Sequence, residues 1–399
     1  MSRLADLIAQ LCPDGVEYRR LDELFATRNG YTPPRSDMSA WDSHDIPWFR
    51  MEDIRENGGI LDHALTYVSS SAVKNGVLFP ENSLLVATSA TIGAHALITV
   101  PHLSNQRFTS LQLKDEYRKH FDYRFLYYYC FVLDAFCLDH VNVSSFPSVD
   151  MRAFRSFKFP FVPLAVQREI VRILDQFTTL EAELEAELEA RRTQYEHYRN
   201  HLLSYESLAA RGQVEMVTLG EMLDMRAGTS ISSKYIFEQA DSDCIYPCYG
   251  ANGLRGYVQS MTHEFDASII GRQGALCGNV TYACGPFFAT EHAVVVTPKV
   301  ELSQRWLYHS LIVANLSQYA TKSAQPGLSV RRVAEVKIPV PRVSEQYRIA
   351  DLLDRFDALV NDITSGLPAE IAARRAQYEH YRDRLLSFPE KVVSVSDAS

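Results

Sequence analysis

The chain has 399 residues, 46% hydrophobic and 22% charged, with a formal net charge of −9; this fits two or three globular domains, each able to bury a core. No apolar run approaches the ~18 residues of a membrane span, the start MSRLADLIAQL carries Asp6 inside its apolar stretch without a signal-peptide cleavage site, and seven cysteines, an odd number, do not make a secreted disulfide framework. The expected setting is the cytoplasm, away from any membrane, and the acidic balance taken alone argues against a non-specific nucleic-acid binder.

A short N-terminal helix opens a first variable domain over 1–162. Candidate strands there are Ser83–Ala87 and Leu111–Leu113, the turn signals are Asn29–Gly30, Asn57–Gly58–Gly59 and Asn75–Gly76, and a helix is expected over Asp122–Phe136. Residues 163–206 read as one long helix. Ile170, Leu174, Phe177, Leu184, Leu188, Tyr195, Tyr198, Leu202 and Tyr205 follow steps of three and four, the seam of two helices wound together. Residues 164–210 hold nine acidic and five basic side chains, whereas 216–340 hold ten of each. A second variable domain covers 207–341, with candidate strands Ser268–Gly271 and Ala293–Thr297, a turn at Asn252–Gly253 and a helix over Arg305–Tyr319. A second long helix covers 342–390 on the seam Ile349, Leu353, Phe356, Val360, Ile371, Tyr378, Tyr381 and Leu385, and 391–399 is a tail. The mixture is α+β.

The chain repeats itself. FPFVPLAVQREIVRILDQF from Phe159 aligns with IPVPRVSEQYRIADLLDRF from Ile338 at an offset of 179, and RRTQYEHYRNHLLSY from Arg191 with RRAQYEHYRDRLLSF from Arg374 at an offset of 183. More weakly, GVEYRRLDELFATRNG from Gly15 resembles QVEMVTLGEMLDMRAG from Gln213. The change of offset is a four-residue stutter between Leu367 and Ile371, and Gly366 and Pro368 beside it predict a kink or break. A dimerising coiled coil would preserve only its seam. Here QYEHYR is identical throughout, so Gln194, Glu196, His197 and Arg199 match Gln377, Glu379, His380 and Arg382, which lie off the seam. A repeated outward surface suits one kind of partner bound twice about a pseudo-two-fold axis.

After the strand at 268–271 the loop GRQGALCGN runs to Asn279, with Arg272 and Gln273 between Gly271 and Gly274. Arginine donates bidentately to guanine, and Gln or Asn pairs with adenine. The matching place in the first domain reads ATSATIG, with Thr88 and Ser89 where Arg272 and Gln273 stand. The alternative is a Gly-rich hairpin with a surface arginine. Further candidates for DNA contact are Arg255, Lys322 and Gln325, and in the first domain Arg28, Asn105, Gln106 and Arg107. Cys244, Cys248, Cys277 and Cys284 have no standard zinc spacing and read as buried thiols, so no metal is expected. There is no GxxxxGK[ST] phosphate loop, no [Asp/Asn]-Pro-Pro-[Tyr/Phe] string, and no GxGxxG, HExxH or GxSxG. A binding subunit is the reading left.

With the repeats laid out, the chain resembles the specificity subunits of type I restriction–modification systems. The residues that carry the resemblance are CPDGVEYRRLDEL from Cys12, PLAVQREIVRILD from Pro163, CYGANGLRGY from Cys248, GLSVRRVAEVKIPVPRVSEQYRIADLLD from Gly327 and both QYEHYR stretches. It implies two mixed α/β target-recognition domains separated by two long antiparallel coiled-coil helices in a pseudo-two-fold internal repeat. Each domain would read one half of a split sequence in double-stranded DNA. The helices would dock two modification subunits, which carry S-adenosylmethionine and methylate adenine. Restriction subunits would bring ATP and Mg, and this chain itself would hold no cofactor and no catalytic centre. The first domain departs from the pattern, since it lacks a YGANG-like string and a Gly-Arg-x-Gly loop. The rival, a coiled-coil adaptor that does not touch DNA, leaves unlike loops joined by like helices unexplained.

Overall fold

The computed structural model describes residues 2–42, 45–142, 146–321, 326–362 and 364–391. The chain forms two compact units, 1–182 with 373–399, and 183–372. These limits cut across the domain boundaries expected from sequence, because each unit combines one variable domain with part of both long helical segments.

The first unit begins with α1 (Ser2–Leu11) and contains β1 (Phe25–Asn29), β2 (Ser83–Ala87), β3 (His95–Ile98) and β4 (Phe108–Leu113). They form a sheet in the order β1-β4-β2-β3, with Ile60–Leu61 parallel to β3. Central β2, SLLVA, is buried at all five residues, as an apolar run covered on both faces should be. Helix α2 (Tyr123–Asp139) packs on this sheet and is capped by Asp122, whose side chain accepts from the Arg124 and Phe125 amides. Helix α3 (Leu164–Leu202) then runs for 39 residues and passes from the first unit into the second.

The second unit repeats this plan. β5 (Leu223–Ala227), β6 (Ala267–Gly271), β7 (Val280–Ala283) and β8 (Ala293–Pro298) lie in the order β5-β8-β6-β7, under α4 (Gln304–Val313). Register matches as well as order: Ala87 faces Phe108 across β2 and β4, and Gly271 faces Ala293 across β6 and β8. A three-stranded sheet flanks each core sheet, built from Tyr67–Val68, Ile46–Phe49 and Leu103–Ser104 in the first unit and from Gly253–Val258, Tyr246–Gly250 and Phe288–Ala289 in the second. At the crossing between these sheets the Gly30 amide donates to Phe108 O and the Gly228 amide to Ala293 O. A Cβ at either glycine would lie within 2.1 Å of a backbone carbonyl oxygen, so no larger residue fits.

The second long helix is two helices, α5 (Val343–Asn361) and α6 (Leu367–Leu385), and the break falls at the expected Gly366–Pro368. In the first unit the start of α3 lies antiparallel to α6, with Phe177 stacked on Tyr381 at 5.6 Å and tilted against Tyr378 at 6.2 Å. In the second unit the end of α3 lies against α5, with Tyr198 6.0 Å from Phe356. Each pairing therefore joins the front of one repeat to the back of the other. The four-residue stutter sits where the second copy passes between units.

The repeated Pro…Gln…Ile…Leu…Asp pattern is a latch between helix and domain. Gln167 and Gln346 are buried. Their Oε1 atoms accept the amides of Asp122 and Ser303, the residues that cap α2 and α4, at 2.8 and 3.0 Å. Their Nε2 atoms donate to the carbonyls of Val162 and Pro341. One helical turn pair further, Asp175 takes Tyr128 and Arg124 at 2.6 and 2.9 Å, while Asp354 takes His309 and Arg305 at 2.8 and 2.7 Å. Among the described residues no helix is long and apolar enough to cross a membrane.

Candidate functional site

The backbone aligns the loops of the two domains residue by residue. The Thr88 amide donates to Arg107 O and its carbonyl accepts from Val149; the Arg272 amide donates to His292 O and its carbonyl accepts from Leu328. Thr88 and Ser89 thus occupy the positions of Arg272 and Gln273, and Ala90 (φ 65°) that of Gly274 (φ 93°). On the neighbouring loop the Asn105 amide donates to Phe49 O and the Thr290 amide to Tyr249 O. Asn105, Gln106 and Arg107 therefore stand where Thr290, Glu291 and His292 stand, and Arg50 stands where Gly250 does.

These loops border an open cleft in each domain. The first, of 670 Å³, is lined by residues that include Arg35, Arg50, Arg107, Asn105, Gln106 and Glu52. Three arginines against one glutamate make its wall positive, as a phosphate- or base-contacting surface requires. Trp41 and Trp48 meet edge to face at 5.3 Å in its floor, and the Arg50 guanidinium lies 5.6 Å over the Trp48 ring while donating to Thr66 Oγ1. Gln106 and Arg107 are exposed, and Thr32 donates its hydroxyl to Gln106 Oε1, leaving the amide NH₂ to face outward chemistry. Two candidates are corrected here. Thr88 is buried, its hydroxyl paired with that of Thr109 at 2.9 Å, so it reads nothing; Ser89 beside it is half-buried and bridges to Ser148. Arg28 is held away from the cleft: it donates to Val77 O at 3.1 Å and stacks 4.0 Å over Phe79, where burial lowers its pKa.

The second cleft, of 590 Å³, joins Arg255, Gln273, His292 and Asn252 with Pro326 and Gly327. Gly271 serves packing rather than ligand approach, since a Cβ there would meet Ala251 O at 2.2 Å. Arg272 is exposed. Asn279, also exposed, lines a separate depression with Asn315 and Ser317. Lys322 and Gln325 lie outside the described residues, as does the tail beyond Lys391. Sequence reasoning missed Arg35, Arg50 and His292. Strand register finds Arg50 and His292, because Trp48-Phe49-Arg50-Met51-Glu52 takes the place of Cys248-Tyr249-Gly250-Ala251-Asn252 without sharing a residue, whereas Arg35 sits in a turn outside the strands. Among the described residues no three His, Cys, Asp or Glu side chains converge on a metal-sized site; Cys244, Cys248 and Cys277 are buried and Cys284 is exposed.

On the helices the two QYEHYR copies adopt matching conformations. Arg191 donates to Gln194 and Arg374 to Gln377, and His197 and His380 each meet the following tyrosine ring at 68°. Glu196, His197, Gln377, Glu379 and His380 are exposed, and Gln194 is half-buried. Arg199 and Arg382 depart from the expected outward face. Arg199 lies 5.2 Å over Tyr195, and Arg382 lies 4.4 Å over Phe131, so these two serve packing within their own units.

Comparison with known proteins agrees with this geometry. The family described as type I restriction modification DNA specificity domain matches residues 13–190 and 212–373. The chain is 51% identical over 375 residues to the type I restriction enzyme EcoprrI specificity subunit of Escherichia coli, covering 91% of this chain and 93% of that one. It is 37% identical over 252 residues to the EcoR124I/EcoR124II specificity subunit of Escherichia coli, covering 58% and 61% of the two chains. In fold it is similar to the S subunit of a type I restriction–modification system from M. genitalium (TM-score 0.53, 17% identity, 94% and 97% of the chains). It is also similar to a chain from work on complex assembly and conformational transition of the type I R-M system (TM-score 0.61, 17% identity, 94% and 98%). Two family matches in one chain, one for each cleft-bearing half, and a relative at half identity over nearly the full length make this protein a member of the type I restriction–modification DNA specificity subunit family.

Proposed function

We propose that this subunit reads a bipartite target in double-stranded DNA, one half through each cleft, and scaffolds two copies of an adenine-methylating modification subunit. The observation that carries the reading is the pair of equivalent clefts with unlike side chains: Arg107, Gln106 and Asn105 in one, and Arg255, Gln273 and His292 in the other. Equivalent frames with different hydrogen-bonding groups suit two different half-sites. Arg272, Asn279 and Ser89 border the same loops and contribute contacts. The half-buried Gln194 and the exposed Glu196 and His197, with the exposed Gln377, Glu379 and His380, form the two docking faces, and restriction subunits join through the modification subunits.

Chemistry belongs to the partners. S-adenosylmethionine, ATP and Mg act on them, and this chain contributes recognition in the cytoplasm without a cofactor or a catalytic centre of its own. Its lack of phosphate-loop and methyltransferase strings supports that division. A coiled-coil adaptor that ignores DNA is not favoured, since it has no use for the two clefts. Mapping methylated adenines in host DNA with and without this gene tests the proposal. One split motif with unlike halves should vanish with the gene; an unchanged methylation map would overturn the reading.

A further inference from the structure

The residue just before the second core strand of each sheet, Arg107 before β4 and His292 before β8, is fixed by the same two backbone features. Its carbonyl accepts the amide of Thr88 or Arg272, and the next residue opens the strand opposite Ala87 or Gly271. Its side chain enters the cleft in both domains. The residue before it differs too: Gln106 in the first domain and Glu291 in the second, where the carboxylate lies 3.5 Å from His292 Nε2.

The chemistry at this pair changes while its frame does not. Gln106–Arg107 offers an amide and a bidentate cationic donor, the groups that pair with adenine and guanine edges. Glu291–His292 offers an imidazole in the cleft, which donates or accepts according to its tautomer, backed by a carboxylate that stands outside the cleft lining and faces its Nε2. Thr88 and Arg272 are the cross-strand neighbours, and they exchange roles. Where the loop residue is a buried threonine the arginine is at 107, and where the loop carries the arginine the cleft position is a histidine. Each of these cross-strand pairs thereby holds one arginine, on opposite sides of the same backbone hydrogen bond.

We infer that the dipeptides Gln106–Arg107 and Glu291–His292 are the specificity-determining pair of their domains, each choosing base identity in its own half-site. The inference rests on the DNA-reading proposal above and names residues within it. In the first domain it replaces Thr88 and Ser89, and in the second it adds two residues that the Gly-Arg-x-Gly loop does not contain. Because the frames match, a side-chain pair moved from one domain to the other lands on a backbone that already carries it.

The test uses the full chain in complex with its modification subunits, and selects bound duplexes from a library randomised in both half-sites. The double variants are Gln106→Glu with Arg107→His, and Glu291→Gln with His292→Arg; complex mass is checked for each. The first should change selected bases only in the half-site read by the first domain, and the second only in the other. A tenfold change in preference at one or two base pairs corresponds to about 1.4 kcal/mol, within the range of one bidentate contact. Unchanged selection by both variants, changes in both halves at once, or an intact complex that no longer selects any sequence would each overturn the inference. Failure of the wild-type complex to select a split target would instead overturn the reading on which it rests.

Discussion

Asp354 shows how a single side chain ties recognition domain to helix. It accepts from His309 Nε2 and Arg305 Nε, both at 2.8 Å, as Asp175 accepts from Tyr128 and Arg124 in the other unit. Burial alone would raise the Asp354 carboxyl, but the hydrogen bonds from His309 and Arg305 and the guanidinium charge outweigh it and hold the pKa below its ordinary value. A folded pKa below the unfolded one means that ionisation favours the fold above the unfolded value of about 3.9, and that this contribution is lost as pH falls through the folded value. Asp354→Asn keeps the shape and removes the linkage. Thermal unfolding followed at several pH values should fall less steeply on the acid side for the variant than for the wild type. Parallel pH curves would assign Asp354 no part in holding the domain. The sequence displays this aspartate only as a repeated letter: the arginine partner is shared, Arg124 and Arg305, but the second partner differs in kind, Tyr128 against His309, and the helix caps held by Gln167 and Gln346 set the two pairs in register.

Helical periodicity names the face of an element that is covered, not what covers it. The apolar face through Ile170, Leu174, Ile349 and Leu353 was readable, and these residues are fully buried, the first two in the core of one unit and the last two in that of the other, whereas Tyr198 and Tyr205 on the same expected seam are exposed. The break at Gly366 was readable from glycine and proline alone. That the front of α3 meets α6 while its end meets α5 did not follow from periodicity, because either repeat offers the same apolar stripe; it is the antiparallel arrangement that the family resemblance implied. For the same reason Arg199 and Arg382 read as outward, although aromatic rings draw both guanidinium groups inward. Once those are set aside, the docking faces reduce to Gln194, Glu196 and His197 on α3 and Gln377, Glu379 and His380 on α6. Acidic substitution of His380 should leave room for one modification subunit, and substitution of both His197 and His380 for none, with the helices intact because both side chains are exposed. Native mass measurement counts the copies bound. A wild-type complex that saturates at one copy, or a double variant that still binds two, would place the docking surface elsewhere.

At the scale of the whole molecule, recognition is divided between two units with separate cores. Leu84, Val86, Leu111 and Phe125 belong to one cluster, and Ile270, Val294, Val296 and Trp306 to another. Each cleft is built within its own unit, from loops held by that unit's sheet. Residues 207–341 enter through the strand Val214–Thr218 and leave through Lys337–Pro341, and these two pair with each other from Val214–Pro341 to Thr218–Lys337. The second variable domain is therefore tied off at its root by a two-stranded ribbon, and the Gln346 latch just beyond reaches back to the cap of α4. A domain closed in this way can be replaced at the ribbon without cutting a strand of its core sheet or the helix seam. Replacing 207–341 by the matching segment of another family member should change the half of the methylated motif read by the second unit and leave the other half as it was. Sequencing of methylated adenines from cells that carry the chimera reads this directly. Alteration of both halves, or of neither in a chimera that still methylates, would show that reading is shared between the units rather than divided.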